Sequence, residues 1–88
     1  MKYIVDIDGT LCKEKGPYRD RIPIKKNVNR VNNLFKKGHK IFLYTARYNT
    51  DRGITMKWLK ENGVKYHRLY MGKIKYDKWI DDKSEKWE

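Results

Sequence analysis

Lys2-Tyr3-Ile4-Val5-Asp6-Ile7-Asp8-Gly9-Thr10-Leu11 opens the chain with an apolar run that ends in two carboxylates and a glycine. Tyr3, Ile4, Val5 and Ile7 are aromatic or β-branched and show no helical spacing, and Gly9 interrupts them, which predicts a short strand with Asp6 and Asp8 at its C-terminal end. Side chains alternate along a strand, so acids two residues apart face one spot. An open α/β sheet places its ligand crevice beyond the carboxyl ends of its strands, and that spot is therefore the candidate site. Two unpaired carboxylates about 4 Å apart would repel each other by about 4 kcal/mol at an effective dielectric near 20, so either a cation between them or a raised pKa on one is expected.

Asp-x-Asp-Gly-Thr-Leu after an apolar strand resembles the first motif of the haloacid dehalogenase-like (HAD) superfamily of phosphotransferases. A strand followed by an Asp-Gly turn is also common as a plain solvated turn, so the order of motifs further along the chain decides between the two.

A chain of 88 residues is expected to form one domain, 1–88, which buries only about 60 to 65% of its unfolded surface. Its apolar share of 39% is barely above its charged share of 38%, so the core must be small, enough for one sheet and a few helices. No apolar run approaches the roughly 20 residues of a membrane span and the N-terminus enters a strand directly, which points to a cytoplasmic protein with no membrane contact. Cys12 is the sole cysteine, which excludes an internal disulfide and a cysteine-based zinc site. Twenty-two Lys plus Arg against 11 Asp plus Glu leave a net charge of +11, a field that draws phosphate-bearing partners, nucleic acid among them. The lysines are scattered, however, so a uniformly solvated basic surface is as good a reading as a dedicated nucleic-acid face.

Residues 12–22 read as a polar connector bearing Lys13, Lys15, Arg19 and Arg21 that hangs over the acidic strand end. Pro23 is expected to open a helix, with Val28, Val31, Leu34 and Phe35 on one face and Gly38 as its stop. Lys40-Ile41-Phe42-Leu43-Tyr44-Thr45 is nearly continuously apolar, as in a strand buried on both faces, and ends in a hydroxyl. A right-handed crossover lays it beside the first strand, with Thr45 at the same edge as Asp6. Arg47 is a candidate for a bidentate phosphate contact or an exposed salt bridge. Thr50 or Asp51 is expected to cap a second helix, with Ile54, Trp58 and Leu59 inward and Gly63 ending it. Residues 64–71 read as a third strand, and His39 and His67 as structural or surface residues. After Gly72-Lys73, residues 76–82 read as a fourth strand ending in Asp81-Asp82.

An apolar strand ending in Thr45 resembles the second HAD motif, and Lys73 ahead of a strand ending Asp81-Asp82 resembles the third and fourth; Lys75 rivals Lys73. The resemblance implies a minimal HAD-like Rossmannoid α/β fold, a three-layer sandwich around a parallel four-stranded sheet of order 4-1-2-3, without a cap domain because neither insertion point has spare length. It implies catalysis by Asp6 as nucleophile through an aspartyl-phosphate, Asp8 as acid and then base, and Thr45 and Lys73 on the phosphoryl oxygens, with Arg47, Gly9 and Thr10 at the substrate. A Mg²⁺ ion would be held by Asp6, the backbone carbonyl of Asp8, and Asp81 with Asp82 in support. Asp8 favours phosphate over carbon–halogen chemistry, because a leaving alkoxide needs a proton and a halide does not. The expected activity is Mg²⁺-dependent hydrolysis of a phosphomonoester, such as a sugar phosphate or nucleotide. The alternatives are a phosphatase of nucleic-acid 3′ ends and a basic nucleic-acid-binding module with a vestigial site. The small core and unclosed site leave self-association open.

Overall fold

The structure, a computed structural model, describes residues 1–72. It is a small α/β unit in which a parallel sheet of three strands, β1 (Lys2–Asp6), β2 (Lys40–Tyr44) and β3 (Arg68–Tyr70), lies in the order β1-β2-β3. Helix α1 (Lys25–Lys36) connects β1 to β2, and α2 (Arg52–Glu61) connects β2 to β3. The register aligns Lys2 with Lys40 and Asp6 with Tyr44, so β1 and β2 end level and their C-terminal residues share one edge.

Two right-handed crossovers that step the same way across a sheet put both helices on the same face. Val5, Ile41, Leu43 and Leu69 accordingly form one core with Val28 and Val31 of α1 and Trp58 and Leu59 of α2. The described residues thus make two layers, not the three expected. The fourth strand expected at residues 76–82, and with it the 4-1-2-3 order, lies outside the described residues.

Three boundaries differ from expectation, each because backbone groups are committed elsewhere. Helix α1 starts at Lys25, not at Pro23. The Ile24 N–H donates to Leu11 O and the Lys13 N–H to Ile22 O, a pairing around Cys12 and Pro23 that needs no donor from the proline and closes the neck of the 12–22 connector. Strand β3 is three residues long, not eight, because the Val64 N–H caps α2 at Leu59 O and the Lys65 N–H donates to Asn32 Oδ1. In α2 the inward face is Thr55, Trp58 and Leu59, while Ile54 is 44% exposed. A buried threonine is tolerated there because its hydroxyl donates to Asp51 O and accepts from Arg47, so neither polar function is lost. Asp51 does occupy the N-cap position of α2, after a 3-10 turn at Asn49–Asp51, but its side chain makes no capping bond.

Other expectations hold. Gly38 ends α1 with φ +93° while the His39 N–H reaches back to Leu34 O. His39 and His67 are structural: the His67 ring stacks on Phe35 and its Nδ1 accepts from the Ile41 N–H, and the His39 Nδ1 lies 3.2 Å from the N-terminal amine. Trp58 is core, with its indole N–H on Arg21 O.

Among the described glycines, Gly9 is the one where an added Cβ would meet a neighbouring atom within 4 Å. With φ +85° it lets the backbone double back so that the N–H groups of Thr10, Leu11 and Cys12 all converge on Ile7 O. A Cβ there would adopt the left-handed conformation and sit 3.1 Å from Glu14 Oε1. Gly9→Ala is expected to cost about 1–2 kcal/mol, read as a lower urea midpoint at unchanged m-value.

Candidate active site

Burial follows the strand alternation: Val5 and Ile7 point into the core, Asp6 is exposed at the end of β1, and Asp8 is half-buried just beyond it. Thr45 follows the last residue of β2 and hydrogen-bonds through its N–H to Tyr70 O of β3. The three strand ends therefore meet where the acids stand, as the sequence reading requires of Asp6, Asp8 and Thr45. Gly9 and Thr10 form the turn beneath them, with Thr10 O accepting from Asn27 Nδ2 of α1 at 2.8 Å. Lys73, Lys75, Asp81 and Asp82 lie outside the described residues.

Two guanidiniums meet the Asp8 carboxylate. Arg47 is bidentate, with Nε on Oδ2 at 2.9 Å and Nη2 on Oδ1 at 2.5 Å. Arg21, from the connector, adds Nη1 on Oδ1 at 2.7 Å. Burial pushes the Asp8 carboxyl up, but the hydrogen bonds and charges of Arg47, Cys12 and Arg21 together outweigh it and leave the group below its ordinary 3.8. A raised pKa at Asp8, one option open to the sequence reading, is thus not what the fold builds. Beside it, burial and then the Asp8 charge push the Cys12 thiol from 9.0 to about 11, so it stays protonated and donates to Oδ1 at 3.4 Å.

Arg47 is neither an exposed salt bridge nor an open phosphate contact. It is only 3% exposed, its Nη1 donates to Thr55 Oγ1 at 2.9 Å, and its backbone N–H donates to Thr45 Oγ1 at 3.1 Å. Tyr18 lies across its face, 3.8 Å from guanidinium carbon to ring centroid. Thr45 is itself 2% exposed and accepts that turn hydrogen bond, the role a threonine there most often has.

Sequence reading missed Tyr18, Arg21 as an Asp8 partner, Thr55 and Asn27. Asn27 is buried on α1 and its Oδ1 is the buried side-chain acceptor left without a partner among the described residues. No local pattern distinguishes these residues; only the folded connector and the α2 face bring them together.

Among the described residues no group of three His, Cys, Asp or Glu side chains is placed to hold a metal ion. Of the residues expected to hold Mg²⁺ within 1–72, Asp8 has its carboxylate taken up by Arg47 and Arg21. Nor is any described helix long and apolar enough to cross a membrane.

The fold and site define a small parallel α/β protein with an acid, hydroxyl and guanidinium cluster at the carboxyl edge of its sheet. No protein-family profile matches the chain, and neither does any curated protein sequence. Solved structures do match. A crystal structure of a Vibrio cholerae protein is 25% identical with a TM-score of 0.76, over 93% of this chain and 80% of that one. The Pnkp1/Rnl/Hen1 RNA repair complex contains a chain 26% identical with a TM-score of 0.72, over 80% of this chain but only 25% of that one, so this chain spans a quarter of that protein's length. A D,D-heptose 1,7-bisphosphate phosphatase from B. bronchiseptica, complexed with magnesium and phosphate, shares the fold at 17% identity and a TM-score of 0.60, over 81% of this chain and 49% of that one.

The arginine clamp makes stability depend on acid. With its folded pKa below 3.8, Asp8 contributes stability that is fully present above that value and is lost as pH falls through the folded pKa. Asp8→Asn is expected to be less stable than wild type at pH 7 and to lose less of its stability between pH 5 and pH 2, as measured by melting temperature across that range.

Proposed function

We propose that the chain is a Mg²⁺-dependent phosphomonoester hydrolase of the HAD type. The observation that carries the reading is the level ending of β1 and β2, which sets Asp6 and Asp8 beside Thr45 at one sheet edge. The fold shared with a phosphatase complexed with magnesium and phosphate supports it.

In this reading Asp6 attacks phosphorus, the bond to the ester oxygen breaks, and an aspartyl-phosphate forms that water then hydrolyses. Asp8 sits in the ionised form, suited to take the proton of the attacking water in the second half-reaction; protonating the leaving oxygen in the first requires it to acquire a proton once substrate is bound. Lys73 would meet the equatorial phosphoryl oxygens, and Thr45, buried and accepting from the Arg47 N–H, would reach them only through its remaining O–H donor. Mg²⁺ would be held by Asp6, the Asp8 carbonyl and Asp81 with Asp82 in support, and would supply charge neutralisation at the phosphoryl group. Arg47, buried in its contacts to Asp8 and Thr55, is removed from the substrate-binding set.

Phosphate release from an aryl phosphate is expected to require Mg²⁺ and to fall to background with a chelator or in Asp6→Asn. Turnover that survives either change overturns the reading.

A second reading names the substrate as a nucleic-acid end, and one observation favours it. Residues 1–72 hold 17 Lys plus Arg against 6 Asp plus Glu, so the whole +11 lies on the part that builds the site. Lys13, Lys15 and Arg19 on the connector that follows the acidic strand end, and Lys25 and Lys26 at the start of α1, are exposed. The similarity to a component of an RNA repair complex supports it as well. With a 3′-phosphorylated oligonucleotide, kcat/KM is expected to exceed that for a sugar phosphate and to fall steeply between about 50 and 200 mM salt, roughly as the power of the number of phosphates contacted. Equal values and a flat salt response favour the small substrate. Salt-sensitive oligonucleotide binding without turnover on any phosphate favours a binding module.

A further inference from the structure

Two arginines meet Asp8, and the fold holds them differently. Arg21 comes from the connector, gives Asp8 one N–H, and has a side chain 16% exposed. Arg47 gives two, from a side chain 1% exposed. All three of its guanidinium nitrogens are engaged: Nε and Nη2 with Asp8, Nη1 with Thr55, and Nη2 also 3.9 Å from Cys12 Sγ. Its backbone is fixed on both sides, the N–H on Thr45 Oγ1 and the carbonyl accepting from the Gly72 N–H at 2.8 Å. The flat face of the guanidinium is covered by the Tyr18 ring at 3.8 Å. Four of the five guanidinium N–H groups are thus committed inside the fold, both of those that define its fork to Asp8 among them.

We propose that Arg47 is a positioning residue that fixes the plane and direction of the Asp8 carboxylate, with Tyr18 as the plate that holds the guanidinium in that plane. The inference rests on the phosphatase reading, in which one carboxylate must address the ester oxygen and then a water along nearly one line. A carboxylate on a turn has free rotation about its last torsion. Two parallel N–H···O bonds to a planar cation remove that freedom, which a point-charge ammonium cannot do. Thr55 holds the far end of the fork, and its own hydroxyl is anchored on Asp51 O at the start of α2. Tyr18 makes the connector part of this device. The connector is pinned by the Trp58 indole on Arg21 O and carries both the stacking ring and the second arginine, so its conformation sets where Asp8 points.

The test uses the full chain, Mg²⁺ and an aryl phosphate. In Arg47→Lys, kcat is expected to fall about 100-fold, the cost of misplacing a reacting group by about 1 Å, with KM changed by less than about twofold. Tyr18→Ala lowers kcat about fivefold, the size of a partly desolvated cation–π contact, and Tyr18→Phe restores it because only the ring face is used. A raised KM at preserved kcat in Arg47→Lys assigns the guanidinium to the substrate and overturns the proposal. So does wild-type kcat in Tyr18→Ala. An independent readout needs no turnover: the Arg47 Nε–H resonance, shielded in the ion pair, is expected to be visible by ¹H–¹⁵N NMR at neutral pH and lost in Asp8→Asn. Absence of that resonance in the wild type also overturns the proposal. If no phosphate ester is hydrolysed, the phosphatase reading fails, and this resonance alone judges the clamp.

Discussion

One ion pair between the end of one strand and the turn after the next governs the candidate site. Asp8 and Arg47 are 39 residues apart in sequence yet bidentate in space, and the arginine is nearly fully buried. A buried ion pair is not by itself a source of stability, because desolvation of both charges offsets most of their attraction. Removing one partner is a different matter, since the other is then buried with an uncompensated charge, at about 3–5 kcal/mol. The pair therefore acts as a constraint on geometry: once the chain folds, the two strand ends cannot slip relative to each other without breaking it.

That constraint explains why so much of the surrounding structure is polar and yet buried. Thr55, Thr45, Arg47 and Asn27 are all under 4% exposed in a domain with a small core. Each except Asn27 has its polar side-chain group in a bond that leads back to Asp8 or to a strand end. Asn27 ties α1 to the Asp8 turn through Thr10 O and keeps an unpartnered Oδ1. The core is thus partitioned, with the apolar cluster under the sheet and a hydrogen-bonded one beneath the acids.

The charge distribution has a cost of its own. Helix α1 has no acid in its first turn and carries Lys25 and Lys26 there, where cations oppose the helix dipole by about 0.3–1 kcal/mol each. Apolar docking of Val28 and Val31 offsets that penalty. Keeping cations at the helix end nearest the carboxylates is consistent with an anionic ligand approaching from that edge, since the helix would be more stable with the signs reversed.

The order strand, helix, strand, helix, strand is legible in the chain because it depends on local pattern. β-Branched and aromatic runs mark β1 and β2, helical spacing of Val28, Val31 and Leu34 marks α1, and Gly38 and Gly63 mark the ends. The parallel pairing of β1 with β2 and the meeting of Asp6, Asp8 and Thr45 follow from chain direction and crossover hand alone. What the pattern could not contain is the partner of each charge. With 22 basic side chains, nothing in the local sequence separates Arg47 and Arg21 from the rest. Nor does the residue spacing of α2 choose Thr55 over Ile54 as the inward position, because that choice depends on a guanidinium arriving from another element to satisfy the hydroxyl. The sequence by itself determined the strand ends and the acids placed on them; tertiary structure alone decided which cations meet Asp8 and in what plane, because an ion pair between distant residues depends on through-space distance, and local sequence periodicity carries no information about it.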